Sequence, residues 1–332
     1  MDRVGWLIPV RDAARWLGEA VRSALDECAP GDEVLVVDDG SQDDPLSVLP
    51  VDPRLRVIHQ PPLGIVAAME RGRRALDTPL IARLDADDVA LPGRIAAQRA
   101  VLAADPTLGA VGGRARMRAD TGEVPEGMRV YTEWVNSLTE PRIGLLVESP
   151  LFHPAVLMRA AAVEAVGGYR DGPFPEDYDL WLRLVAAGYG IAAVPQDVVI
   201  LRDRPGRLTR TDPRYARAAF LPLKHEWAAR VLLPTRRRVV VWGAGQAGKP
   251  WIRWLVEQGH DVVAALDLKP GTTRYGAPVL RPEALSRLAP NCLEMDLLLV
   301  AVGARGAREE IRRRIAEMRP ELVEGRDWWA VA

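Results

Sequence analysis

Residues Val4 to Val10 form a wholly apolar run of the length of one strand. A helical pattern with Ala13, Leu17, Val21 and Leu25 on one face follows, and then a second run, Glu33-Val34-Leu35-Val36-Val37. A strand that is apolar throughout must be covered on both faces, and a parallel neighbour needs a crossover long enough to hold a helix. The same alternation continues with a strand over 55–58, a helix over 64–76, a strand over 80–84 and, after Pro92, a helix over 95–102. This order predicts an α/β fold on a parallel sheet with helices on its faces.

The chain has 332 residues, 48% hydrophobic and 27% charged, which excludes disordered, collagenous and small disulfide-stapled classes. The longest apolar stretch, about 297–304, is far too short to span a bilayer. The start, Met1-Asp2-Arg3-Val4, lacks a charged-then-apolar secretory pattern. The expectation is a cytoplasmic protein, with peripheral contact at the inner face of the cell membrane left open. Cys28 and Cys292 lie far apart with no metal-ligand spacing, so buried, reduced thiols are expected. A net charge of −1 argues against nucleic acid as the main partner. Only three of the 44 basic residues are lysine, so an isolated arginine carries little information here.

In a parallel sheet, ligands bind in the crevice at the carboxyl ends of the strands. Three acidic clusters fall at or near such places: Asp38-Asp39-Gly40-Ser41 after the second strand, Asp85-Ala86-Asp87-Asp88 after the fourth, and Glu176-Asp177-Tyr178-Asp179 opening an amphipathic helix. Singly, the first reads as a turn and the others as helix caps. Together, acidic groups at adjacent strand ends repel unless a cation or a hydrogen-bonded ligand lies between them. Hard oxygen ligands, few in number, suit Mg2+ or Mn2+ shared with substrate phosphates.

Ile8-Pro9-Val10, Val36-Val37-Asp38-Asp39-Gly40-Ser41, Leu84-Asp85-Ala86-Asp87-Asp88, Val166-Gly167-Gly168-Tyr169 and the Glu176 to Arg183 segment resemble the successive motifs of family 2 glycosyltransferases. The resemblance covers about residues 3–215. It implies a GT-A fold that transfers a sugar, with inversion, from a nucleotide-diphosphate sugar to a glycan, lipid-linked or other hydroxyl acceptor, as in surface polysaccharide or glycolipid assembly. By the same resemblance, Pro9 and Val10 lie along the nucleotide base, Asp39 bonds the base or ribose, and Gly64 opens a helix beside the nucleotide. Asp85 faces the ribose, Asp87 ligates the metal, Asp177 is the catalytic base and Glu176 lies near the acceptor. Arg202, Arg204 and Thr209 resemble the late segment that closes over the diphosphate. His153 matches a position often filled by histidine, and either active-site proximity or a loop role fits it. Arg11-Asp12, Glu70 and Arg204 depart from the family's usual residues.

The grammar restarts at Val239-Val240-Val241-Trp242, after the triple arginine 236–238. The charge changes too: net +4 from Arg236 onward, against −5 before it. The expected division is a GT-A domain over 1–230 and a small Rossmann-like α/β domain over 236–332. Gly243, Gly245 and Gly248, at the spacing of a dinucleotide fingerprint, follow the strand, and Asp267 ends the next one. NAD or another nucleotide is one expectation for that segment, and a structural or docking module is the other. The arginine-rich helix around 308–319 reads as a solvated face. Two further readings compete with an active transferase: an inactive nucleotide-sugar-binding scaffold, and an NAD-dependent oxidoreductase acting through the C-terminal glycines.

Overall fold

The computed structural model describes residues 2–271, 273–287 and 295–332; Cys292 lies outside them. The chain divides into two compact units, Met1–Arg142 with Ser149–Leu223, and Ile143–Glu148 with Lys224–Ala332. The division thus falls a few residues before the expected one, and it assigns a short piece of the N-terminal part to the second unit.

The first unit is built on strands β1 (Val4–Val10), β2 (Glu33–Asp38), β3 (Leu55–His59), β4 (Leu80–Arg83), β5 (Val89–Ala90), β6 (Leu108–Ala119), β7 (Leu157–Arg159) and β8 (Gly190–Asp203). They form one eight-stranded sheet in the order β3-β2-β1-β4-β7-β6-β8-β5. The predicted strands β1 to β4 are its parallel half. In the other half β7 runs antiparallel to β4 and β6, and β5 antiparallel to β8. The chain winds outward from β1 through β2 to β3 and then returns to place β4 on the other side of β1. That reversal opens a crevice beyond the carboxyl ends of β1 and β4.

Helices α1 (Ala14–Asp26), α2 (Ile65–Ala75), α3 (Arg94–Ala104), α4 (Glu126–Ser137), α5 (Ala160–Ala165) and α6 (Glu176–Ala186) belong to this unit, as does the short α7 (Leu208–Thr211). Trp6, Leu7, Ile8, Val34–Val37, Leu17 and Val21 are fully buried, as apolar central strands and an amphipathic α1 require. Two polar residues of α3 are also buried. Arg94 donates to the carbonyls of Arg83, Pro154 and Val156 at 2.8–3.1 Å. Gln98 donates to the carbonyls of Val111 and Ala155. These bonds occupy carbonyls at the end of β4, in β6 and along 154–156, and tie α3 to these segments.

The second unit begins within α8 (Arg217–Val231), after Leu223. Its strands are β9 (Arg238–Trp242), β10 (Asp261–Leu266), β11 (Thr273–Arg274), β12 (Ala277–Leu280), β13 (Leu297–Val300) and β14 (Trp328–Ala330), in the order β11-β12-β10-β9-β13-β14. All neighbours are parallel except β11 and β12. Helices α9 (Gly248–Glu257) and α10 (Ala307–Met318) complete it. Three arginines of α10 are ion-paired: Arg312 with Glu324, Arg313 with Glu310 and Glu317, and Arg314 with Glu283. Among the described residues no helix is long and apolar enough to cross a membrane.

Candidate active site

One cavity in the first unit gathers side chains from most of the motifs. Asp85 and Asp87 line it from the end of β4, Glu176 and Asp177 from the start of α6, and Arg204, Arg207, Leu208, Thr209 and Tyr215 from the segment after β8. Met128, Tyr131, Leu151, Phe152 and Pro154 form an apolar wall.

The carboxylates of Asp85, Asp87 and Asp88 present oxygens within 4.8 Å of one another. Asp88 accepts from the backbone N–H of Arg202 at 2.7 Å through one oxygen, and its other oxygen is buried without a hydrogen-bond partner. Burial, opposed by Arg207 and reinforced by the two neighbouring carboxylates, pushes Asp88 well above the usual carboxylate range. An unpaired carboxylate oxygen in an all-oxygen cluster fits a hard divalent cation. Arg204 donates to Asp87 at 2.6 Å and stacks over Trp16.

Asp177 sits in the first turn of α6, with one oxygen accepting from the N–H of Tyr178 at 2.7 Å. The helix terminus favours a negative charge there, but burial, and next the charge of Glu176, outweigh it and push the carboxyl up to about 8. Glu176 is raised too, chiefly by burial, and both its oxygens accept from the Tyr215 hydroxyl. His153 Nε2 bonds the Tyr169 hydroxyl at 2.8 Å, and its Nδ1 lies 4.0 Å from Glu176. Burial, reinforced by nearby Arg83, holds the imidazole well below its ordinary value and therefore neutral.

The remaining motif residues have structural partners. Asp39 accepts from Gln60 Nε2 and from the N–H groups of Leu63 and Gly64 at 2.7–2.9 Å, which shapes the turn into α2. Gly64 caps that helix at φ +93, a conformation that favours glycine. Pro9 and Val10 are buried in β1. Asp179 pairs with Arg170 and Arg183, and Arg183 also donates to the carbonyls of Val166 and Gly168, so these residues secure the glycine turn. Arg202 is turned away from the cavity. Its guanidinium meets Glu19, Asp120 and the carbonyl of Asp87, so it braces the metal-cluster loop, in contrast to the expected place beside the diphosphate.

Sequence reading missed Arg83, Arg207 and Tyr215, all on the cavity wall. The arginines were hidden by the abundance of that residue, and Tyr215 by the weak pattern of 205–235.

In the second unit a Cβ on Gly248 would lie 1.8 Å from the carbonyl oxygen of Gly243, and one on Gly243 would lie 2.5 Å from that of Ala301. The approach of α9 to the end of β9 requires Gly248, and the approach of the segments after β9 and β13 requires Gly243. Asp267 accepts from the N–H groups of Ala244 and Lys269. Packing and local hydrogen bonds thus account for most of the fingerprint.

A mixed α/β sheet with its crevice at this switch point, and with this acidic cluster, defines a GT-A glycosyltransferase domain. The glycosyl transferase family 2 profile matches residues 6–167, and these residues belong to that family. The amylovoran biosynthesis glycosyltransferase AmsE of Erwinia amylovora is 25% identical over 195 residues, 57% of this chain and 71% of its own. Staphylococcus aureus TarS in complex with UDP-GlcNAc superposes with a TM-score of 0.52 at 16% identity, over 70% of this chain and 67% of that one. The mannosyltransferase PcManGT of Pyrobaculum calidifontis, in complex with GDP-Man and Mn2+, gives 0.51 at 20% identity, over 70% and 72%.

Proposed function

We propose that the first unit is an inverting, divalent-metal-dependent glycosyltransferase. It moves a sugar from a nucleotide-diphosphate sugar to an acceptor hydroxyl, in the assembly of a surface polysaccharide or glycolipid. The observation that carries this reading is that Asp85 and Asp87, Arg204 and Arg207, and the Glu176–Asp177 pair line a single cavity. The role in amylovoran biosynthesis named for AmsE and the Mn2+ complex of PcManGT support it.

In its ionised form, Asp177 takes the proton of the acceptor hydroxyl as that oxygen bonds to the anomeric carbon. The bond from that carbon to the diphosphate breaks, and its electron pair leaves with the diphosphate. General-base help of this kind is worth about 10²–10⁴ in rate. Asp85, Asp87 and Asp88 would hold Mg2+ or Mn2+, which when bound neutralises charge developing on the leaving group. Arg204 and Arg207 add fixed positive charge beside it. The Tyr215 hydroxyl holds Glu176, leaving Asp177 the carboxylate free to work. No described residue of the second unit lines this cavity, and that unit is read as a docking or nucleotide-binding module.

The test is to incubate the chain with Mn2+ and a panel of UDP-, GDP- and dTDP-sugars and measure the nucleoside diphosphate released. One donor should be hydrolysed, and EDTA should stop the reaction. Release that persists in EDTA removes the metal from the reading, and no release from any donor removes the reading itself.

A further inference from the structure

Arg83 ends β4, two residues before Asp85, with its side chain 4% exposed on the cavity wall. Two arginines of this unit are saturated by the protein: Arg94 donates to Gln98 and three carbonyls, and Arg183 to Asp179 and two carbonyls. Arg83 differs. One guanidinium nitrogen meets Asp85, while its Nε is buried with no hydrogen-bond acceptor among the described residues. Arg207, on the same cavity wall, also has one buried nitrogen without a partner among the described residues. A buried unsatisfied donor of this kind costs about 1–3 kcal/mol, so its retention at a cavity points to a ligand oxygen.

Its position identifies which oxygen. Arg83 is ion-paired to Asp85 of the acidic cluster and lines the same cavity as Glu176 and Asp177. Arg207 lines the cavity beside Asp85 and Asp87, on the segment after β8. In a displacement with inversion, base, acceptor oxygen, anomeric carbon and leaving oxygen lie in sequence, so the transferred sugar lies between the base and the cluster that holds the diphosphate.

We infer that Arg83 is a donor-sugar-binding residue whose Nε–H bonds a hydroxyl oxygen of the sugar being transferred. The inference rests on the glycosyltransferase reading above. The probes are the nucleotide sugar that wild type hydrolyses fastest in the panel and its matching nucleoside diphosphate, titrated calorimetrically into wild type, Arg83→Met and Arg83→Lys in Mn2+. Arg83→Met should weaken the nucleotide sugar about 10- to 100-fold, the range for a hydrogen bond to a charged donor, and the diphosphate less than about threefold. Arg83→Lys should fall between, and it decides the matter if the methionine variant does not fold. Equal weakening of both probes would place Arg83 on the diphosphate, and weakening of neither would make it structural; either result overturns the inference. If wild type hydrolyses no donor, the reading beneath it fails first.

Discussion

At the residue scale, Asp177 shows burial winning over a helix dipole. A terminal dipole is worth about 0.3–1 kcal/mol at an exposed site, whereas burial beside Glu176 raises the carboxyl to about 8. The neutral form is therefore the resting form at pH 7 before donor and metal bind. Two outcomes follow. Asp177→Asn should lower kcat at least about 10²-fold while changing nucleotide affinity less than about twofold, measured by product release and calorimetry. Near-normal turnover in that variant would remove Asp177 as the base. The stability sign is also fixed. A raised folded value means the folded chain holds a proton that the unfolded chain has lost, so the stability this group contributes is complete below the ordinary carboxylate value. It declines as pH rises toward 8 and is lost above it. The melting temperature of Asp177→Asn relative to wild type should accordingly climb between pH 5 and pH 8 and then level off. A difference that is flat across that range would show that the carboxyl is not perturbed.

At the element scale, α2 does more than cover the sheet. Glu70 accepts from the N–H of Tyr169 at 2.7 Å and pairs with Arg73 and Arg74, while Tyr169 in turn bonds His153. Despite partial burial, Arg73 and the Tyr169 N–H hold Glu70 below its usual range. The residue that departs from the family pattern is thus a tether between α2 and the glycine turn before α6. Glu70→Ala should cost about 1–3 kcal/mol, a loss of several degrees in melting temperature for a unit of this size, and should lower kcat through a displaced His153. Glu70→Gln keeps one acceptor and should lose less on both counts; equal melting curves for all three chains would dismiss the tether. The elements legible in the sequence were those with a local signal: β1 to β4 as apolar runs, α1 to α3 as periodic segments, and the acidic clusters at their ends. Strands β6, β7 and β8 were not legible. Leu108–Ala119 ends in alternating arginines, and its pairing with β8, some eighty residues later, shifts register three times. Such non-local pairing leaves no short-range pattern. Arg83 and Arg207 stayed hidden because an arginine is informative only once its missing acceptors are visible.

At the scale of the whole molecule, the chemistry and the glycine fingerprint fall in different units, which separates their tests. Among the described residues, those lining the cavity all belong to the first unit. In the second, Gly248 faces the Gly243 carbonyl at a distance no Cβ tolerates, whereas a Cβ on Gly245 would meet nothing within 4 Å. Gly248→Ala must therefore push α9 away from the end of β9, at a cost of about 1–3 kcal/mol or more. Gly245→Ala should be neutral, or slightly stabilising through a less flexible unfolded chain. Calorimetric melting of the full chain should show the loss for Gly248→Ala alone. Assayed below the melting range, both variants should release nucleoside diphosphate within about twofold of wild type, because neither touches the cavity. Loss of transfer in Gly248→Ala, with the first unit still folded, would mean that the reaction depends on the second unit. A melting shift on adding NAD to wild type that disappears in Gly245→Ala would assign the open glycine to a ligand. Without such a shift, close backbone approach is reason enough for the other two glycines.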